Sequence, residues 1–207
     1  IVLFLACKIV KISFSGLIQA IQEPALLTFT TASSEAALPK AMSIMEHFGV
    51  PKSIVGFVMP TGYTFNLDGS TLYLAVAVMF LAQYEGIALT LEQQIVIMLS
   101  LMLTSKGVAG VPRASILVLT GTIASFNIPA AIGITILLGI DQILDMGRTA
   151  VNLIGNCIAT VVIARWENVF DYNKMNEFLK RKNIKTNTFG KTNSDVSFEA
   201  DFGNKKD

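Results

Sequence analysis

Hydrophobic residues run along most of this chain in stretches that contain no charged residue. These stretches cover residues 12–22, 24–34, 53–67, 69–84, 93–105, 114–140 and 149–164. Only the stretch 114–140 exceeds the roughly 20 residues that a simple membrane-spanning helix needs. Several of the others stop at small, polar or helix-breaking residues, around 30–35, 66–69 and 105–112. The pattern therefore predicts helices that break partway across a bilayer.

The broken segments follow a repeated order. A pair of half-length segments, hairpin 1 (residues 14–48), precedes a helix with a polar centre (52–84). A second pair, hairpin 2 (91–126), precedes another such helix (130–166). In hydrocarbon, non-helical backbone survives only where it is buried in protein or faces an aqueous cavity. We therefore predict an all-α membrane protein with re-entrant helical hairpins and broken transmembrane helices in inverted repeats, the arrangement of secondary transporters.

The composition agrees with a membrane protein and excludes several other classes. Hydrophobic residues make up 52% of the 207 residues and charged residues 15%, with a mean hydropathy of +0.58. Soluble domains carry about 25% charged residues. A net charge of +1, without a stripe of basic residues, argues against a nucleic-acid partner. Cys7 and Cys157 provide neither a disulfide framework nor a metal-ligand spacing, so we expect no metal beyond a possible sodium ion.

Charge divides the chain into an apolar body and a polar tail, since about half of the charged residues follow residue 164. The chain opens on an apolar run with no initiator Met and no basic region before it. We therefore expect residues 1–12 to be the end of a transmembrane helix rather than a signal peptide. The body is residues 13–168. The tail, residues 169–207, is expected to be largely disordered because its far end contains few large apolar residues.

The basic residues predict an orientation. Lys8, Lys11 and Lys52 flank the base of hairpin 1, and further basic residues follow the last helix between positions 174 and 185. The connection 83–92 carries only acidic charges. Because short cytoplasmic loops are enriched in Lys and Arg, hairpin 1 and the tail should be cytoplasmic. We expect the protein to cross the plasma membrane several times.

One face of the last hydrophobic helix is polar. Six residues, which we call the polar face, recur at helical spacing: Asp141, Asp145, Arg148, Thr149, Asn152 and Asn156. At about 100° per residue they fall within an arc of roughly 100°. An ionised residue near the bilayer centre costs at least about 2.5 to 3.5 kcal/mol on the insertion scale, so several together indicate a functional site. An alternative is a purely structural ion pair between Asp145 and Arg148, three residues apart.

Three short motifs lie at the polar interruptions and on the polar face. They read Asn66-Leu67-Asp68-Gly69-Ser70, Ser105-Lys106-Gly107-Val108-Ala109-Gly110-Val111-Pro112 and Asp145-Met146-Gly147-Arg148-Thr149-Ala150-Val151-Asn152. In this order they resemble signatures of the dicarboxylate/amino-acid:cation symporter family, the glutamate transporter homologues, and above all its bacterial proton/glutamate-aspartate symporters. The resemblance runs from about residue 10 to 168. It implies that 13–168 is a transport domain, made of hairpin 1, an unwound seventh helix, hairpin 2 and an eighth helix. A homotrimer would form through an N-terminal half outside this chain.

The resemblance also implies which residues bind substrate. The family's amino-acid site falls on Ser34, Ser70, Gly110, Val111, Asp145, Arg148, Thr149 and Asn152. Asp145 and Thr149 suit an α-ammonium group, while Asn152, the Ser34 hydroxyl and backbone amides suit an α-carboxylate. The guanidinium fork of Arg148 pairs with a second carboxylate. We therefore expect glutamate or aspartate as the substrate, with a dicarboxylate or cystine as alternatives.

Cation positions follow from the same resemblance. They fall on Gly62, Thr64, Asn66, Asp68, Ser105, Lys106, Val108, Asn152 and Asn156, partly through backbone carbonyl groups. Members that use sodium commonly carry Asp where Asn156 stands and Met where Leu67 stands. Asn156 lacks the charge that offsets sodium dehydration, so we expect a proton gradient to drive transport. Sodium coupling is the alternative, and no cofactor other than the coupling ion is expected.

Glu35 lies at the tip of hairpin 1, beside Ser33 and Ser34. A carboxyl group that enters and leaves a low-dielectric site changes its proton affinity, so Glu35 is a candidate proton carrier. An alternative is that Glu35 helps to cap the second half of the hairpin, near whose N-terminus it lies.

Two other functional classes compete with a transporter. A channel also uses polar helix faces and re-entrant hairpins, but a mixed Asp, Arg, Thr and Asn face suits a zwitterion better than a column of ions. An intramembrane hydrolase would need Ser33 or Ser34 as its nucleophile. The helices place no His or Lys as a partner for either serine, and no His-Glu-x-x-His motif occurs. We therefore expect a transporter and not an enzyme.

Overall fold

The computed structural model describes residues 2–65, 67–105, 114–126, 128–129 and 131–191. Within these ranges the chain forms α-helices and no β-strand. The helices are α1 (Val2–Ile9), α2 (Phe14–Thr31), α3 (Ser34–His47), α4 (Lys52–Phe65), α5 (Asp68–Tyr84), α6 (Leu91–Thr104), α7 (Ala114–Ser125), α8 (Ala131–Trp166) and α9 (Tyr172–Lys191). The expectation of an all-α fold is confirmed.

Hairpin 1 consists of α2 and α3, which turn back on each other at a two-residue tip. Ala32 ends α2 in the left-handed region, at φ 50° and ψ 31°. Ser33 then caps α3, because its side chain accepts a hydrogen bond from the backbone N–H of Ala36 at 3.5 Å. Hairpin 2 consists of α6 and α7, which pack against each other. Its tip, residues 106–113, lies outside the described residues.

Two helical stretches in the described part of the chain are long and apolar enough to cross a membrane. One is 52–84, in which α4 ends at Phe65 and α5 begins at Asp68. The other is α8, a helix of 36 residues. A third span is possible by length if α1 and α2, between which the chain bends by 120°, count as one broken span. Broken helices in a membrane protein are thereby confirmed.

The α8 helix joins two clusters of buried apolar residues. Its first half packs with α5, α6 and α7 around residues such as Leu74, Leu101 and Leu137. Its second half packs with α1 to α4 around residues such as Met59 and Val161. Lipid tails are as apolar as leucine, so van der Waals packing rather than transfer from water holds such clusters together. The polar face of α8 begins after Leu137 of the first cluster and overlaps the start of the second cluster at Leu153.

Large apolar side chains also face outward. Phe57 is 71% exposed, Leu103 78% and Ile143 69%. Outward apolar residues occur on α4 to α8 alike. On a soluble protein so much exposed apolar surface would promote aggregation, whereas hydrocarbon or another protein segment covers it without cost.

The stretch assigned to a disordered tail contains a helix. The α9 helix begins after Asp171, whose carboxylate accepts hydrogen bonds from the N–H groups of Asn173 and Lys174 at 2.9 and 3.0 Å. Phe170 and Met175 are buried in the same cluster as the second half of α8. The expectation for 169–207 rested on the composition of its far end and overlooked this cap and these anchors. Residues 192–207 lie outside the described residues.

Candidate functional site

The polar face of α8 is turned toward the interior of the protein. Asp141, Arg148, Asn152 and Asn156 are each less than 9% exposed. The side chain of Asp145 is 15% exposed. Charged groups are seldom buried without partners, so the contacts of these side chains decide what the face can do.

Arg148 is held by two carboxylates and an aromatic ring. Its Nε lies 2.8 Å from Oδ1 of Asp145, and its Nη1 lies 3.8 Å from Oδ1 of Asp141. The guanidinium carbon stands 4.7 Å from the centroid of the Tyr73 ring. The Tyr73 hydroxyl in turn donates to Oδ1 of Asp141 at 3.2 Å. The ion pair three residues apart therefore forms, but as part of a larger group.

Tyr73 was not identified from the sequence, although one signal was available. It lies on α5 three residues after Ser70, which places both side chains on the same face of that helix. Its polar atom is a single hydroxyl group on a large ring, and its partners lie 68 or more positions away.

The group around Arg148 retains unmet hydrogen-bonding capacity. Among the described residues, Nη1 of Arg148 and Oδ2 of Asp141 are buried and have no hydrogen-bond partner. A buried charged donor without an acceptor is destabilising. Thr149 has its own partner, since its hydroxyl donates to the backbone carbonyl of Asp145 at 2.6 Å. A ligand with a carboxylate group would satisfy Arg148 at Nη1.

Asn152 caps the start of α5 from across the protein. Its Oδ1 accepts hydrogen bonds from the backbone N–H groups of Gly69 at 2.8 Å and Ser70 at 3.3 Å. Its Nδ2 donates to the Ser70 hydroxyl at 3.0 Å. Leu67, at the N-cap position, provides no side-chain cap. The break between α4 and α5 is therefore stabilised by a residue of α8.

Two glycines allow α8 to approach this break closely. A Cβ atom on Gly69 would overlap the backbone carbonyl of Arg148, and one on Gly62 would overlap the side chain of Asn156. Asn156 also donates from Nδ2 to the carbonyl oxygen of Met59 at 2.7 Å, while its buried Oδ1 has no hydrogen-bond partner among the described residues. Gly62 and Asn156, both predicted cation positions, are thus in direct contact.

A small cavity joins the tip of hairpin 1 to the polar face. Its lining residues are Ser34, Leu38, Tyr63, Leu67, Asn152, Leu153 and Asn156. Its volume of about 10 Å³ is close to the smallest that holds one water molecule. The structure therefore brings Ser34, a predicted substrate ligand, to the same place as Asn152 and Asn156.

The remaining predicted positions lie elsewhere on α4, α5 and α6 or outside the described residues. The Ser105 hydroxyl lies 3.3 Å from that of Thr71, which connects the end of α6 to the first turn of α5. Asp68 is exposed in that first turn, and Thr64 is half-buried near the end of α4. Five predicted positions lie outside the described residues: Asn66, Lys106, Val108, Gly110 and Val111.

Glu35 is attached to α4 by a residue that the sequence did not indicate. The Tyr63 hydroxyl donates to Oε1 of Glu35 at 3.0 Å. Ser33 provides the side-chain cap of α3, and Glu35 lies exposed in the first turn of the helix. An acid there also interacts favourably with the helix dipole, so the carrier and capping interpretations both remain compatible with its position.

Comparison with known proteins gives a consistent picture. The sodium:dicarboxylate symporter family matches residues 1–166. A proton/glutamate-aspartate symporter of Escherichia coli (strain K12) is 48% identical over 174 residues, which cover 84% of this chain and 40% of that protein. A proton/sodium-glutamate symport protein of Geobacillus stearothermophilus is 48% identical over 172 residues, or 83% and 41% of the two chains. A C4-dicarboxylate transport protein of Bacillus subtilis (strain 168) is 44% identical over 187 residues, or 90% and 44%. The chain spans about two fifths of the length of the curated relatives it matches.

Proposed function

Since the chain belongs to the sodium:dicarboxylate symporter family, we propose that it forms the transport half of a cation-coupled symporter of glutamate and aspartate. The family is one of symporters rather than enzymes, which removes the hydrolase alternative. The proposal concerns the complete transporter in which this chain works.

The observation that carries this proposal is the pairing of Asp145 with Arg148 on a buried face. The guanidinium group is positioned by the Asp145 carboxylate at 2.8 Å and by the Tyr73 ring, and its Nη1 has no hydrogen-bond partner among the described residues. A side-chain carboxylate of the substrate would accept a hydrogen bond from Nη1, and the α-ammonium group would lie against Asp145. The two charges of opposite sign thus match the two ends of an acidic amino acid.

The α-carboxylate of the substrate would face the start of α5. Asn152 and Ser70 are already hydrogen-bonded to each other there at 3.0 Å, and the cavity beside Asn152 reaches Ser34. Their amide and hydroxyl groups can donate hydrogen bonds to a carboxylate. Gly110 and Val111, which lie outside the described residues, would add backbone N–H groups.

A dicarboxylate without an amino group is the alternative substrate, because relatives of similar identity are C4-dicarboxylate transport proteins. Such a ligand has no cation to place against Asp145, so its second carboxylate would meet a carboxylate of the same sign. The presence of Asp145 therefore favours an amino acid.

We also propose that protons, rather than sodium alone, drive the transport. Asn156 places an uncharged amide at a buried position against Gly62, where a carboxylate would offset the dehydration of sodium. Leu67 places an apolar side chain beside the same break. Glu35 supplies an ionisable group at the hairpin 1 tip. Sodium coupling is the alternative, as relatives include proton/sodium-glutamate symport proteins.

The test is uptake into proteoliposomes that contain the complete transporter. Labelled aspartate, glutamate and succinate are offered under an inward proton gradient, an inward sodium gradient, or both. We expect saturable, stereoselective accumulation of the two amino acids under the proton gradient. Accumulation of succinate alone would contradict the assigned substrate class, and transport that is linear in concentration would indicate a channel.

Three further features belong to this proposal. Residues 13–168 would act as the transport domain in the plasma membrane. The chain after α8 would lie on the cytoplasmic side. The complete protein would assemble as a homotrimer through a part outside this chain. The basic residues at the base of hairpin 1 and along α9 support the orientation. Labelling of single cysteines from either side of the membrane tests the orientation, and native mass spectrometry of the purified protein tests the homotrimer.

A further inference from the structure

Pro24 leaves one carbonyl group in hairpin 1 without its usual partner. In an α-helix the C=O of each residue accepts from the N–H four residues later. The residue four positions after Ala20 is Pro24, which has no N–H. Both residues are buried inside α2, where an unpaired carbonyl group is destabilising.

Lys182 of α9 supplies the missing donor. Its Nζ donates to the carbonyl oxygen of Ala20 at 2.9 Å. Burial lowers the pKa of Lys182, while Glu23 opposes this shift and Lys40 adds to it. The ammonium group is therefore partly withdrawn from water at the point where the carbonyl group needs a donor.

Apolar contacts hold the same face of α9 against hairpin 1. Leu179 packs where Gly16 has no side chain, so that a Cβ atom on Gly16 would lie 3.1 Å from Cδ1 of Leu179. The neighbouring residue, Phe178, places its ring edge to face against the Phe48 ring, with the centroids 6.2 Å apart. These contacts and the hydrogen bond of Lys182 reach both helices of the hairpin.

The start of α9 is joined to the end of hairpin 1 through the backbone. The N–H of Asp171 donates to the carbonyl oxygen of Gly49 at 2.9 Å. Gly49 adopts a φ of +107°, and a Cβ atom there would overlap the carbonyl group of Asp171. Only glycine permits this approach.

We propose that α9 is a brace for hairpin 1, and that Lys182 is the positioning residue that fastens it by donating to the carbonyl group that Pro24 leaves unpaired. Hairpin 1, which carries Ser34 and Glu35 at its tip, itself packs against α8. The brace is a property of the folded chain and does not depend on which substrate or ion is carried.

A double-mutant cycle tests the chemical link between Lys182 and Pro24. Pro24→Ala returns an N–H to the helix, so the Ala20 carbonyl group no longer needs Lys182. Hydrogen–deuterium exchange of the amides in 14–31 and 172–182 is measured on the complete purified transporter for Lys182→Met, Pro24→Ala and the double variant. Lys180→Met is the matched control, because Lys180 is exposed on the same helix.

In the Pro24 background we expect Lys182→Met to accelerate exchange in α9 by about tenfold. In the Pro24→Ala background the same substitution should accelerate it by about threefold or less. Lys180→Met should leave exchange unchanged. Equal effects of Lys182→Met in both backgrounds, or no effect in either, would overturn the proposal. If the methionine variant cannot be purified, Lys182→Leu, which also lacks a hydrogen-bond donor, replaces it in the cycle with the same expected outcomes. Because no uptake is measured, failure here is separate from failure of the proposed function.

Discussion

The guanidinium group of Arg148 lies over the ring of Tyr73, with its central carbon 4.7 Å from the ring centroid. The same ring carries the hydroxyl that donates to Asp141, the more distant of the two carboxylates beside Arg148. Tyr73 therefore contacts both signs of charge in the buried group, and it fixes the direction in which Arg148 presents its remaining donor.

Arg148→Cys should abolish the uptake of aspartate and glutamate. The substitution leaves the substrate carboxylate buried without a cation, and breaking a buried ion pair costs about 3 to 5 kcal/mol. Arg148→Lys is the matched variant, because it keeps the charge but loses the planar fork and should retain only weak uptake. Initial rates in proteoliposomes measure both. Undiminished uptake by Arg148→Cys would remove Arg148 from the site.

Tyr73→Leu should weaken binding of aspartate by roughly 5- to 30-fold, since a desolvated cation–π contact contributes about 1 to 2 kcal/mol. Tyr73→Phe retains the ring over Arg148 and loses only the hydroxyl group, so its effect should be smaller. Isothermal titration calorimetry on the purified transporter gives both dissociation constants. Equal losses in the two variants would show that the hydroxyl group, and not the ring, supports Arg148.

Gly69→Ala should destabilise the protein by about 1 to 3 kcal/mol, because the added methyl group would overlap the Arg148 carbonyl group and push α5 away from α8. Gly147→Ala is the control on α8 itself. A Cβ atom on Gly147 meets nothing within 4 Å, and alanine in a helix is favoured by roughly 0.5 to 1 kcal/mol. Thermal unfolding in detergent should therefore shift downward for the first variant and stay level or rise for the second.

The predictable part of the site follows from local sequence pattern. The polar face of α8 is visible because Asp145, Arg148 and Asn152 recur with the helical period on an otherwise apolar segment. The breaks at the hairpin 1 tip and before Asp68 are visible because polar residues interrupt apolar runs. Each of these signals lies within about ten residues of sequence, the range over which helical periodicity is read.

The part that could not be predicted depends on contacts distant in sequence. Tyr63 and Tyr73 stand in apolar helices, and nothing near them in sequence indicates Glu35 or Asp141 as partners 28 and 68 positions away. The packing of α9 was missed for a different reason. The prediction for the tail was based on the composition of its far end. The anchor Met175 lies in the first half of the tail, and only the helical periodicity of that half would have indicated it.

Asn156→Asp should make uptake respond more strongly to sodium. The new carboxylate would be buried against Gly62 and would need a cation to offset its charge. In the unchanged protein we expect accumulation under an inward proton gradient without sodium. Asn156→Ser, which adds no charge, is the control for loss of the amide. Strict dependence of the unchanged protein on a sodium gradient, with no response to pH, would contradict proton coupling.

Glu35→Gln should reduce the response of uptake to an imposed proton gradient, because the amide keeps the shape of the side chain and cannot carry a proton. Tyr63→Phe is the companion variant. It removes the hydroxyl group that donates to Glu35 at 3.0 Å but leaves the carboxyl group in place. We expect uptake by Tyr63→Phe to remain driven by protons. If Glu35→Gln keeps the full pH response, Glu35 serves only as part of the α3 terminus.

The contact between Gly69 and the Arg148 carbonyl group bears on the thermodynamics of a transport cycle. The backbones of α5 and α8 touch there, and Asn152 bonds the two helices beside that point. These helices cannot separate without breaking the contact, so in the transport cycle that we propose the half of the site that they carry would keep its geometry whichever side of the membrane it faces. Its intrinsic affinity for the proposed substrate would then be the same on both sides. Any difference between inward and outward affinity would then have to arise in parts of the site outside this contact, and net accumulation would have to come from the ion gradient.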